Sequence, residues 1–352
     1  MTNTNARLLF IPVSGPRGMG EYARSLAIAS GLVQRLPGLE VHFALSRAAP
    51  YAAATPFAAT LLPSSPTFHP REVRALIREF QPRVVVFDNA GRTLQLRAAR
   101  AAGARVVFVS SRRRQRRKAF RLRWMGLIDE HWIAYPEFIA GALTSLERLK
   151  LQVRGRPRIR FVDALLPAAD AALAADTLGR FGLAAHNFVL IVPGGGSAHP
   201  GAENAPGIVT AAARAIAAHG YPTILIGAGP GDPGDPAPLQ RAPLLPLPQL
   251  CELIRGSRLV ICNGGDTLLQ VLACERPCVA VPIAHDQAHR IACCARAGLA
   301  VPAALTPLAI EIAALGVLEA PPRRAATARP PGEPRVRNCM EEVLGALAAL
   351  AA

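Results

Sequence analysis

Residues 258–273, RLVICNGGDTLLQVLA, are the strongest indication of the fold class in this sequence. Their first half is a short apolar run of the kind that forms a buried strand, and their second half places apolar residues at helical spacing. Between the two lies the turn Asn263-Gly264-Gly265-Asp266-Thr267. A strand that runs through glycines directly into a helix predicts one unit of a parallel α/β sheet, with bare backbone N–H groups at the N-terminus of the helix.

Two similar turns follow other apolar runs of the second half. Residues 188–193, FVLIVP, lead into Gly194-Gly195-Gly196-Ser197, and residues 278–283, CVAVPI, lead into His285-Asp286-Gln287. Backbone N–H groups at helix N-termini, with a threonine hydroxyl beside them, form a binding site for a diphosphate. Ligands of parallel sheets bind beyond the carboxyl ends of the strands, so the three turns predict one diphosphate site at one edge of a sheet.

Strand and helix patterns alternate along the whole chain and predict an α/β fold of two domains. At 352 residues the chain is too long for one ordinary core, and 51% apolar residues with only 5% aromatics are typical of buried parallel strands covered by alanine-rich helices. We expect Rossmann-like domains over residues 1–162 and 163–325, and a linker with a final helix over 326–352 that packs back toward the first domain. Two parallel sheets in tandem predict a cleft between them.

The predicted strands are apolar runs rich in β-branched residues. They cover residues 8–13, 40–45, 83–88, 105–109 and 131–134 in the first half, and 188–193, 223–227, 259–262 and 278–283 in the second. Helices are expected to begin near residues 20, 71, 93 and 112. Residues 153–167, VRGRPRIRFVDALLP, are interpreted as the connection between the domains.

Residues 247–301 resemble the donor-binding half of GT-B glycosyltransferases, in particular the family 28 group that includes the N-acetylglucosaminyltransferase of peptidoglycan lipid synthesis. The turns of that group appear here as Gly264-Gly265-Asp266-Thr267, His285-Asp286-Gln287 and Gly195-Gly196-Ser197, and LPLPQLCELIRGSRLVI is similar to the segment whose backbone faces the nucleotide base. The resemblance implies two Rossmann-like domains of the GT-B type. It further implies that the second domain binds a nucleotide sugar, such as a UDP-sugar, without a metal or a cofactor.

The resemblance also implies which residues bind the donor. They are Gly195, Gly196, Ser197, Leu250, Asn263, Gly264, Gly265, Asp266, Thr267, Gln270, His285, Asp286 and Gln287. Gln270 departs from the family, which usually has a glutamate for the ribose hydroxyls at this position. An amide still forms hydrogen bonds to a diol, but without the contribution of a charge.

The first glycine-rich turn, SGPRGMGEYARSL at residues 14–26, has two interpretations. Its glycines formally fit the dinucleotide fingerprint of an oxidoreductase, but the next predicted strand ends in Ser46-Arg47, without the acidic residue that binds the ribose. In the family that this chain resembles, the corresponding loop ends in Gly-His, whereas this sequence has Gly20-Glu21. By that resemblance, Gly18, Gly20 and Arg24 are expected to face the donor phosphates and the acceptor.

Two carboxylates of the first half are candidate catalytic residues. Glu21 stands where the family has its functional histidine, so it is a candidate general base; the alternative is a carboxylate that only favours the N-terminus of a helix. Asp88 ends a predicted strand and is either a ligand contact or a helix N-cap. Arg24, one helical turn after Glu21, is expected either to pair with it or to bind a phosphate.

Positive charge is concentrated in the first half. Residues 1–160 contain 27 Lys and Arg against 9 Asp and Glu, whereas residues 161–352 contain 13 against 15. The excess peaks in RRRQRRKAFRLR at residues 112–123, beside apolar and aromatic residues. A solvated face and a contact with anionic lipid or an anionic acceptor are the two main interpretations, and no nucleic-acid motif accompanies the segment. The residues expected to make that contact are Arg112, Arg113, Arg114, Arg116, Arg117 and Trp124.

Together these features predict a cytoplasmic, inverting, metal-independent glycosyltransferase of the GT-B class, peripheral on the inner membrane face. No apolar run is long enough to span a bilayer, and the first residues show no signal peptide. The seven cysteines lack metal-binding spacing, so reduced core residues are expected. A nucleotide-sugar hydrolase, which uses water as acceptor, is the first alternative, and a nicotinamide-dependent oxidoreductase is the second. The expected donor is a nucleotide sugar. The sequence does not identify the acceptor, for which a lipid-linked molecule is one interpretation.

Overall fold

The computed structural model describes residues 6–16, 19–194, 202–229, 231–320 and 332–352. The chain divides into two units, of which unit 1 comprises Met1–Leu165 with Cys339–Ala352 and unit 2 comprises Leu166–Asn338. Each unit is built on one sheet in which all pairs of neighbouring strands are parallel. The predicted α/β fold with two parallel sheets is therefore confirmed.

The sheet of unit 1 has seven strands in the order β3-β2-β1-β4-β5-β6-β7. The strands are β1 (Arg7–Pro12), β2 (Glu40–Ser46), β3 (Ala58–Leu62), β4 (Val84–Asp88), β5 (Arg105–Ser110), β6 (Glu130–Ala134) and β7 (Arg158–Val162). Successive residues of β1 point to opposite faces of the sheet, so Leu8 and Phe10 enter one apolar core and Leu9 and Ile11 enter another. Because both faces are buried, the central strands are continuous apolar runs.

Helices cover both faces of this sheet. They are α1 (Gly20–Arg35), α2 (Pro70–Phe80), α3 (Thr93–Ala101), α4 (Arg113–Ala119), α5 (Leu122–Met125), α6 (Glu137–Ala140), α7 (Ser145–Arg154) and, from the end of the chain, α14 (Met340–Ala351). The last helix packs against α1, where Gly31 allows a close approach: a Cβ built there would lie 3.0 Å from a methyl carbon of Leu344.

The sheet of unit 2 has six strands in the order β10-β9-β8-β11-β12-β13. The strands are β8 (Val189–Val192), β9 (Thr223–Ile226), β10 (Leu239–Ala242), β11 (Leu259–Asn263), β12 (Cys278–Val281) and β13 (Val301–Pro302). The helices are α8 (Ala171–Arg180), α9 (Ala205–Ala218), α10 (Leu247–Gly256), α11 (Asp266–Ala273), α12 (Gln287–Arg296) and α13 (Pro307–Leu318). Across the described ranges, no helix is long and apolar enough to cross a bilayer.

Both sheets have a point at which the strand order reverses. In unit 1 it lies between β1 and β4, and in unit 2 between β8 and β11. Loops that leave adjacent strands in opposite directions open a crevice at such a point, which is where ligands of doubly wound sheets bind. The glycine turn at the end of β11 lies at the reversal in unit 2, and Asp88 lies at the reversal in unit 1.

Four strands were absent from the sequence-based prediction. They are β3, β7, β10 and β13, and each is the outermost strand on one side of its sheet. The segment interpreted as a connection between the domains, residues 153–167, therefore contains β7, which pairs with β6 in unit 1. An edge strand pairs on one side only and needs no continuous apolar run, which is why the pattern of RIRFV in β7 does not stand out.

Candidate active site

The glycine turn of unit 2 is shaped by an asparagine. The side-chain oxygen of Asn263 accepts a hydrogen bond of 2.8 Å from the backbone N–H of Gly265, and its amide nitrogen donates one of 2.8 Å to the carbonyl of Pro193. The second bond crosses the reversal point from β11 to the end of β8. Both ends of the Asn263 amide thus form hydrogen bonds that shape the turn, and its contact with the donor stays a prediction.

The glycines of this region are required by close packing. A Cβ on Gly264 would lie 2.8 Å from Cβ of Gln287 and from Cγ1 of Ile291, and one on Gly265 would lie 2.7 Å from Oδ1 of Asn263. Gly194 has a positive φ of 123°, and its Cβ would lie 2.2 Å from Nδ2 of Asn263. A larger residue at position 264 would push apart the turn and helix α12, and one at 194 or 265 would displace the Asn263 side chain. The pattern that resembles a phosphate-binding motif therefore also has a packing cause.

Two side chains of α12 join this turn to the next one. The side-chain oxygen of Gln287 accepts hydrogen bonds from the backbone N–H groups of Gly264 at 3.2 Å and Ile283 at 2.9 Å. The guanidinium of Arg290 donates to the carbonyl of Gly264 and lies 3.4 Å from the carboxylate of Asp286. Gln287 and Arg290 are both buried. The side-chain oxygen of Gln287 therefore holds the two turns in place, and its predicted contact with the donor stays a prediction.

The N-terminus of α11 is the part of this site that is open to a ligand. Gly265 is its N-cap residue and has no side chain, so the N-cap position itself supplies no cap for the backbone N–H groups of the first turn. Thr267 lies in that first turn and is partly exposed, as is Gln270 one turn later. His285 and Asp286 are exposed beside the N-terminus of α12. This edge therefore presents helix N-terminal N–H groups and one hydroxyl, the donors that bind a diphosphate.

The other predicted donor residues are partly exposed or lie outside the described residues. Leu250 is partly exposed on α10, and Asp266 is the first residue of α11 and partly exposed. Gly195, Gly196 and Ser197 lie outside the described residues, as does Gly18 of the first turn. Arg290 was not predicted, although its spacing of four residues from Asp286 on a helix was a signal that the two side chains meet.

A cavity of about 470 Å³ opens at the same edge of unit 2, on the side of α9. It is lined at its base by Pro193 and by residues 227–229, which follow β8 and β9. Arg214 and Arg241 reach into its wall, and both guanidinium groups bind the carboxylate of Asp235, at 2.7 and 2.8 Å. These arginines hold the pKa of Asp235 well below its usual range, so the wall of the cavity carries a compensated ion-pair network.

In unit 1 the carboxylate at the reversal point forms an ion pair with an arginine. Asp88 ends β4 and is buried, and Arg24 of α1 binds both of its oxygens, with Nε to Oδ2 at 2.8 Å and a second nitrogen to Oδ1 at 2.9 Å. The side chain of Arg24 is only 8% exposed. The N-cap of α3 is Arg92, so Asp88 does not cap that helix. Arg24 pairs with Asp88, because a buried carboxylate requires a paired charge. A ligand contact of either residue stays a prediction.

The Glu21 carboxylate is held at the carboxyl edge of the sheet of unit 1. It lies in the first turn of α1, immediately after Gly20, and its side chain is 16% exposed. Its Oε1 accepts a hydrogen bond of 3.0 Å from the amide of Asn89 and lies 3.6 Å from the guanidinium of Arg112. These contacts orient the carboxylate at the carboxyl edge of the sheet. Its location at a helix N-terminus also fits the purely structural alternative.

Asn89 is the residue of this cluster that the sequence did not single out. It follows β4, is buried, and has a positive φ of 52°, a conformation that asparagine tolerates better than most residues. Its amide nitrogen also donates to the hydroxyl of Ser111, and its side-chain oxygen accepts a hydrogen bond of 2.9 Å from the Ser111 N–H. Asn89 thereby connects Glu21 to the end of β5. The signal for it was its place directly after a predicted strand.

Aromatic rings border Glu21. Tyr51 stacks on Tyr22 with ring centroids 4.1 Å apart and an interplanar angle of 11°. Burial first, and then the negative charge of Glu21, raises the pKa of the Tyr51 hydroxyl well above its usual range, so this hydroxyl stays protonated. Tyr22 belongs to the core of unit 1 and Tyr51 packs against it, so the two rings form the support beneath this edge.

Several apolar residues within and after the basic segment, residues 112–123, are buried, whereas the sequence predicted a surface contact for Trp124. Trp124 is 0% exposed: its indole N–H donates to the hydroxyl of Thr93 at 3.0 Å, and its ring packs edge-on against Phe108. Phe120 and Met125 are buried as well. Trp124 therefore belongs to the core of unit 1, and its predicted contact with a membrane is wrong.

The cations of this segment divide into bound and exposed groups. Arg116 is bound: it pairs with Glu147 at 2.7 Å and donates to the carbonyls of residues 140–142, so it fixes a loop instead of a ligand. Lys118 lies 4.4 Å from the Trp124 ring centroid. Burial, together with four neighbouring arginines, lowers the pKa of Lys118 to about 8. The exposed cations are Arg112, Arg113, Arg114, Arg117, Arg121 and Arg123.

Solved structures share this architecture over nearly the whole chain. Arabidopsis thaliana UGT89C1 in complex with UDP superimposes with a TM-score of 0.63 at 13% identity, over 99% of this chain and 100% of that chain. For the spinosyn forosaminyltransferase SpnP the values are 0.62 and 12%, over 98% and 93%. For Acinetobacter baumannii MurG they are 0.55 and 14%, over 89% and 91%.

At the level of sequence, no protein-family model and no curated protein matches this chain. At these sequence identities, the likeness to solved structures shows the fold. The chain therefore has the two-sheet GT-B fold of the glycosyltransferases named above, in agreement with the resemblance noted in residues 247–301.

Proposed function

We propose that this chain is a glycosyltransferase that moves a sugar from a UDP-sugar to an acceptor hydroxyl, with inversion and without a metal ion. The observation that carries the proposal is the preformed turn between β11 and α11. Its glycines bring the chain to a helix N-terminus whose N-cap residue has no side chain, and Asn263 and Gln287 hold the turn in place. A diphosphate is the group that such a turn binds best. The bound UDP of a protein with the same fold supports uracil as the base.

The proposed reaction is a single displacement. The acceptor oxygen forms a bond to the anomeric carbon while the bond from that carbon to the diphosphate oxygen breaks, so the configuration inverts. The carboxylate of Glu21 accepts the proton of the acceptor hydroxyl. The N–H groups of α11 and the Thr267 hydroxyl stabilise the negative charge that develops on the leaving UDP, a role that a metal ion has in other enzymes.

The exposed arginines beside Glu21 favour an acceptor with a negative group. Arg112 lies 3.6 Å from the Glu21 carboxylate, and Arg113 and Arg114 follow it at the same end of α4. Guanidinium groups bind phosphate and carboxylate with paired hydrogen bonds. A phosphate or carboxylate near the reacting hydroxyl, whether in a lipid-linked or a soluble acceptor, would lie against these arginines.

The competing activities have less support. The comparisons lend none to a nucleotide-sugar hydrolase, and a histidine occupies the base position in that family, where this chain has Glu21. A hydrolase would release free sugar from a UDP-sugar without any acceptor. A nicotinamide-dependent oxidoreductase would need an acidic ribose ligand after β2, which ends in Ser46 and continues with Arg47.

The proposal is tested by UDP titration calorimetry on the full chain and on Thr267→Val. Loss of a hydroxyl that donates to a charged phosphate costs about 1.5–3 kcal/mol, so we expect UDP binding to weaken about ten- to hundredfold. Thr306→Val is the matched control, because Thr306 caps another helix N-terminus of unit 2, α13. Absence of UDP binding, or equal weakening in both variants, would contradict the donor site.

A further inference from the structure

Lysine is rare in this chain and is confined to one region of it. Of its 40 lysine and arginine residues only two are lysines, Lys118 on α4 and Lys150 on α7. A lysine ammonium can lose its proton and then act as a nucleophile, whereas an arginine guanidinium stays charged. The two lysines are therefore the only side chains of the sequence whose amine can form a new covalent bond.

The amine of Lys118 is held in one position at the surface of unit 1. Its Nζ lies 4.4 Å from the ring centroid of the buried Trp124 and donates a hydrogen bond of 3.0 Å to the carbonyl of Gly91. The residue as a whole is partly exposed. An uncharged amine keeps two N–H groups, so it can retain the bond to Gly91 and still have a lone pair with which to react.

Positive charge surrounds this amine. Four exposed arginines act on it electrostatically, namely Arg92, Arg114, Arg121 and Arg123. Burial first, and then these arginines, lowers the pKa of Lys118 to about 8, so about half of its amines are uncharged at pH 8, against less than about 1% for an ordinary lysine. Guanidinium groups also bind phosphate, so the same arginines attract a phosphorylated reagent to the amine.

We propose that Lys118 is a modification site that takes an acyl group from an acyl phosphate. The phosphate of the reagent lies against the arginines, and the uncharged Nζ attacks the carbonyl carbon. A carbon–nitrogen bond forms while the bond from the carbonyl carbon to the phosphate oxygen breaks, and the proton of the amine passes to the released inorganic phosphate. The product is a neutral amide, so the modification removes the charge that Lys118 places over the Trp124 ring.

Lys150 provides a matched control in the same molecule. It is partly exposed like Lys118, and its Nζ also donates to a backbone carbonyl, that of Phe120, at 3.3 Å. The two lysines therefore share a degree of exposure and one type of hydrogen bond. A difference between their rates of acylation reports the particular surroundings of Lys118 and not exposure alone.

Acetyl phosphate is the probe, used on the full chain at pH 8 with no sugar donor or acceptor present. Mass spectrometry of peptides follows the acetylation of each lysine with time. We expect Lys118 to react about tenfold or more faster than Lys150, because a larger share of its amine is uncharged. Lys118→Arg should abolish the fast acetylation, and Lys150→Arg should leave it unchanged.

A neutral ester, N-hydroxysuccinimidyl acetate, separates the role of the arginines from that of the amine. Arg121→Gln with Arg123→Gln should slow the reaction of Lys118 with acetyl phosphate more than its reaction with the ester, since only acetyl phosphate carries a charge that arginines attract. Added salt should act in the same direction. The control is Arg71→Gln with Arg74→Gln, two exposed arginines of α2 whose loss changes the net charge equally and should leave both rates unchanged.

Equal rates of acetylation at Lys118 and Lys150 would overturn the proposal. A fast reaction of Lys118 with the ester alone, or equal slowing of both reagents by the Arg121 and Arg123 substitutions, would overturn the acyl phosphate as the acyl donor. Circular dichroism verifies that each variant remains folded. Because the assay needs no sugar donor, its outcome is independent of the proposed glycosyltransferase activity.

Discussion

The two points at which the strand order reverses are formed by different kinds of chemical groups. In unit 2 the edge consists of glycines and backbone groups, held by the neutral amides of Asn263 and Gln287. In unit 1 the edge consists of charged side chains that hold one another, with Arg24 on Asp88 and Arg112 near Glu21. The surrounding charge follows the same division, because residues 1–160 have 18 more cationic than anionic residues and residues 161–352 have two fewer.

The turn of unit 2 is easier to recognise in a sequence than the charged cluster of unit 1. A site made of backbone groups constrains residue identity through geometry, so glycines recur at positions where a Cβ would collide. A site made of side chains depends on which partner each charge finds, and that is decided by packing. We therefore expect substitutions at the edge of unit 1 to change turnover or stability and to leave donor binding unchanged. Substitutions in the turn of unit 2 are expected to change donor binding.

The largest expected effect is that of Glu21→Gln on turnover. A glutamine keeps the size of the side chain and removes its ability to accept a proton, so we expect turnover to fall about 10²- to 10⁴-fold, the usual contribution of a general base. UDP binding should stay within about twofold of its original value, since the donor site lies in unit 2. Release of UDP from a UDP-sugar in the presence of an active acceptor measures the first, and titration calorimetry measures the second.

Glu72→Gln is the matched control for Glu21→Gln. Glu72 also lies in the first turn of a helix of unit 1, α2, so both substitutions remove a favourable interaction with a helix dipole, worth about 0.3–1 kcal/mol. If Glu21 had only this structural role, both variants would keep normal turnover. Near-normal turnover of Glu21→Gln would therefore return the residue to the structural alternative and leave the reaction without its base.

The next effect concerns the stability of the charged edge. Arg24→Met leaves the buried carboxylate of Asp88 without its guanidinium partner, and we expect the free energy of unfolding to fall by about 3–5 kcal/mol. Arg35→Met is the control, since Arg35 pairs with Glu341 at 2.8 Å on the surface, with side chains 45% and 82% exposed. A change below about 1 kcal/mol is expected there. Urea denaturation measures both changes. An equal fall in the free energy of unfolding of the two variants would contradict the larger contribution assigned to the buried pair.

A smaller effect is expected from pH. Burial first, and then the charge of Arg116, lowers the pKa of His131 from 6.5 to about 3. Below the ordinary pKa the unfolded chain binds a proton that the folded chain does not, so stability falls as pH falls, by about 2 kcal/mol between pH 7 and pH 5. Histidines 186, 219, 285 and 289 of unit 2 are exposed. Acid is therefore expected to weaken unit 1 more than unit 2.

His131→Leu isolates this contribution. Urea denaturation of the variant at pH 7 and pH 5 should show about 2 kcal/mol less pH dependence than the unaltered chain, because leucine binds no proton in either state. The absolute stability of the variant at pH 7 is not the readout, since the substitution also removes the hydrogen bond between the histidine and the Ser110 hydroxyl. An unchanged difference between the two pH values would contradict the assignment of the acid sensitivity to His131.

Much of the fold was predictable because the central strands are apolar runs between recognisable turns. The runs in β1, β4, β5, β8 and β11 are buried on both faces, and that burial is what produces the pattern. The four missed strands are outermost in their sheets, where one side of the strand has no partner and the demand for apolar residues is weaker. The basic, partly exposed β7 illustrates this best.

The candidate site was predictable in unit 2 as a motif and in unit 1 only as a list of residue types. Asp88 looked like a ligand contact because it ends a strand, and its engagement by Arg24 depends on how α1 packs against β4. Trp124 looked like a surface anchor because it follows a charge run, yet its ring completes the core under β5. Asn89 gave no signal beyond its position, since its role arises from a left-handed conformation and two neighbours distant in sequence.

Hydrogen–deuterium exchange of the full chain with and without UDP is the measurement that tests the division of roles most directly. A diphosphate that binds the N–H groups at the start of α11 protects them from exchange, so we predict slower exchange in residues 264–268 and 284–288 of unit 2. The edge of unit 1, at residues 19–24 and 88–92, should change little. Protection confined to the unit 1 edge, or no protection in residues 264–268, would contradict the claim that the backbone turn of unit 2 holds the donor.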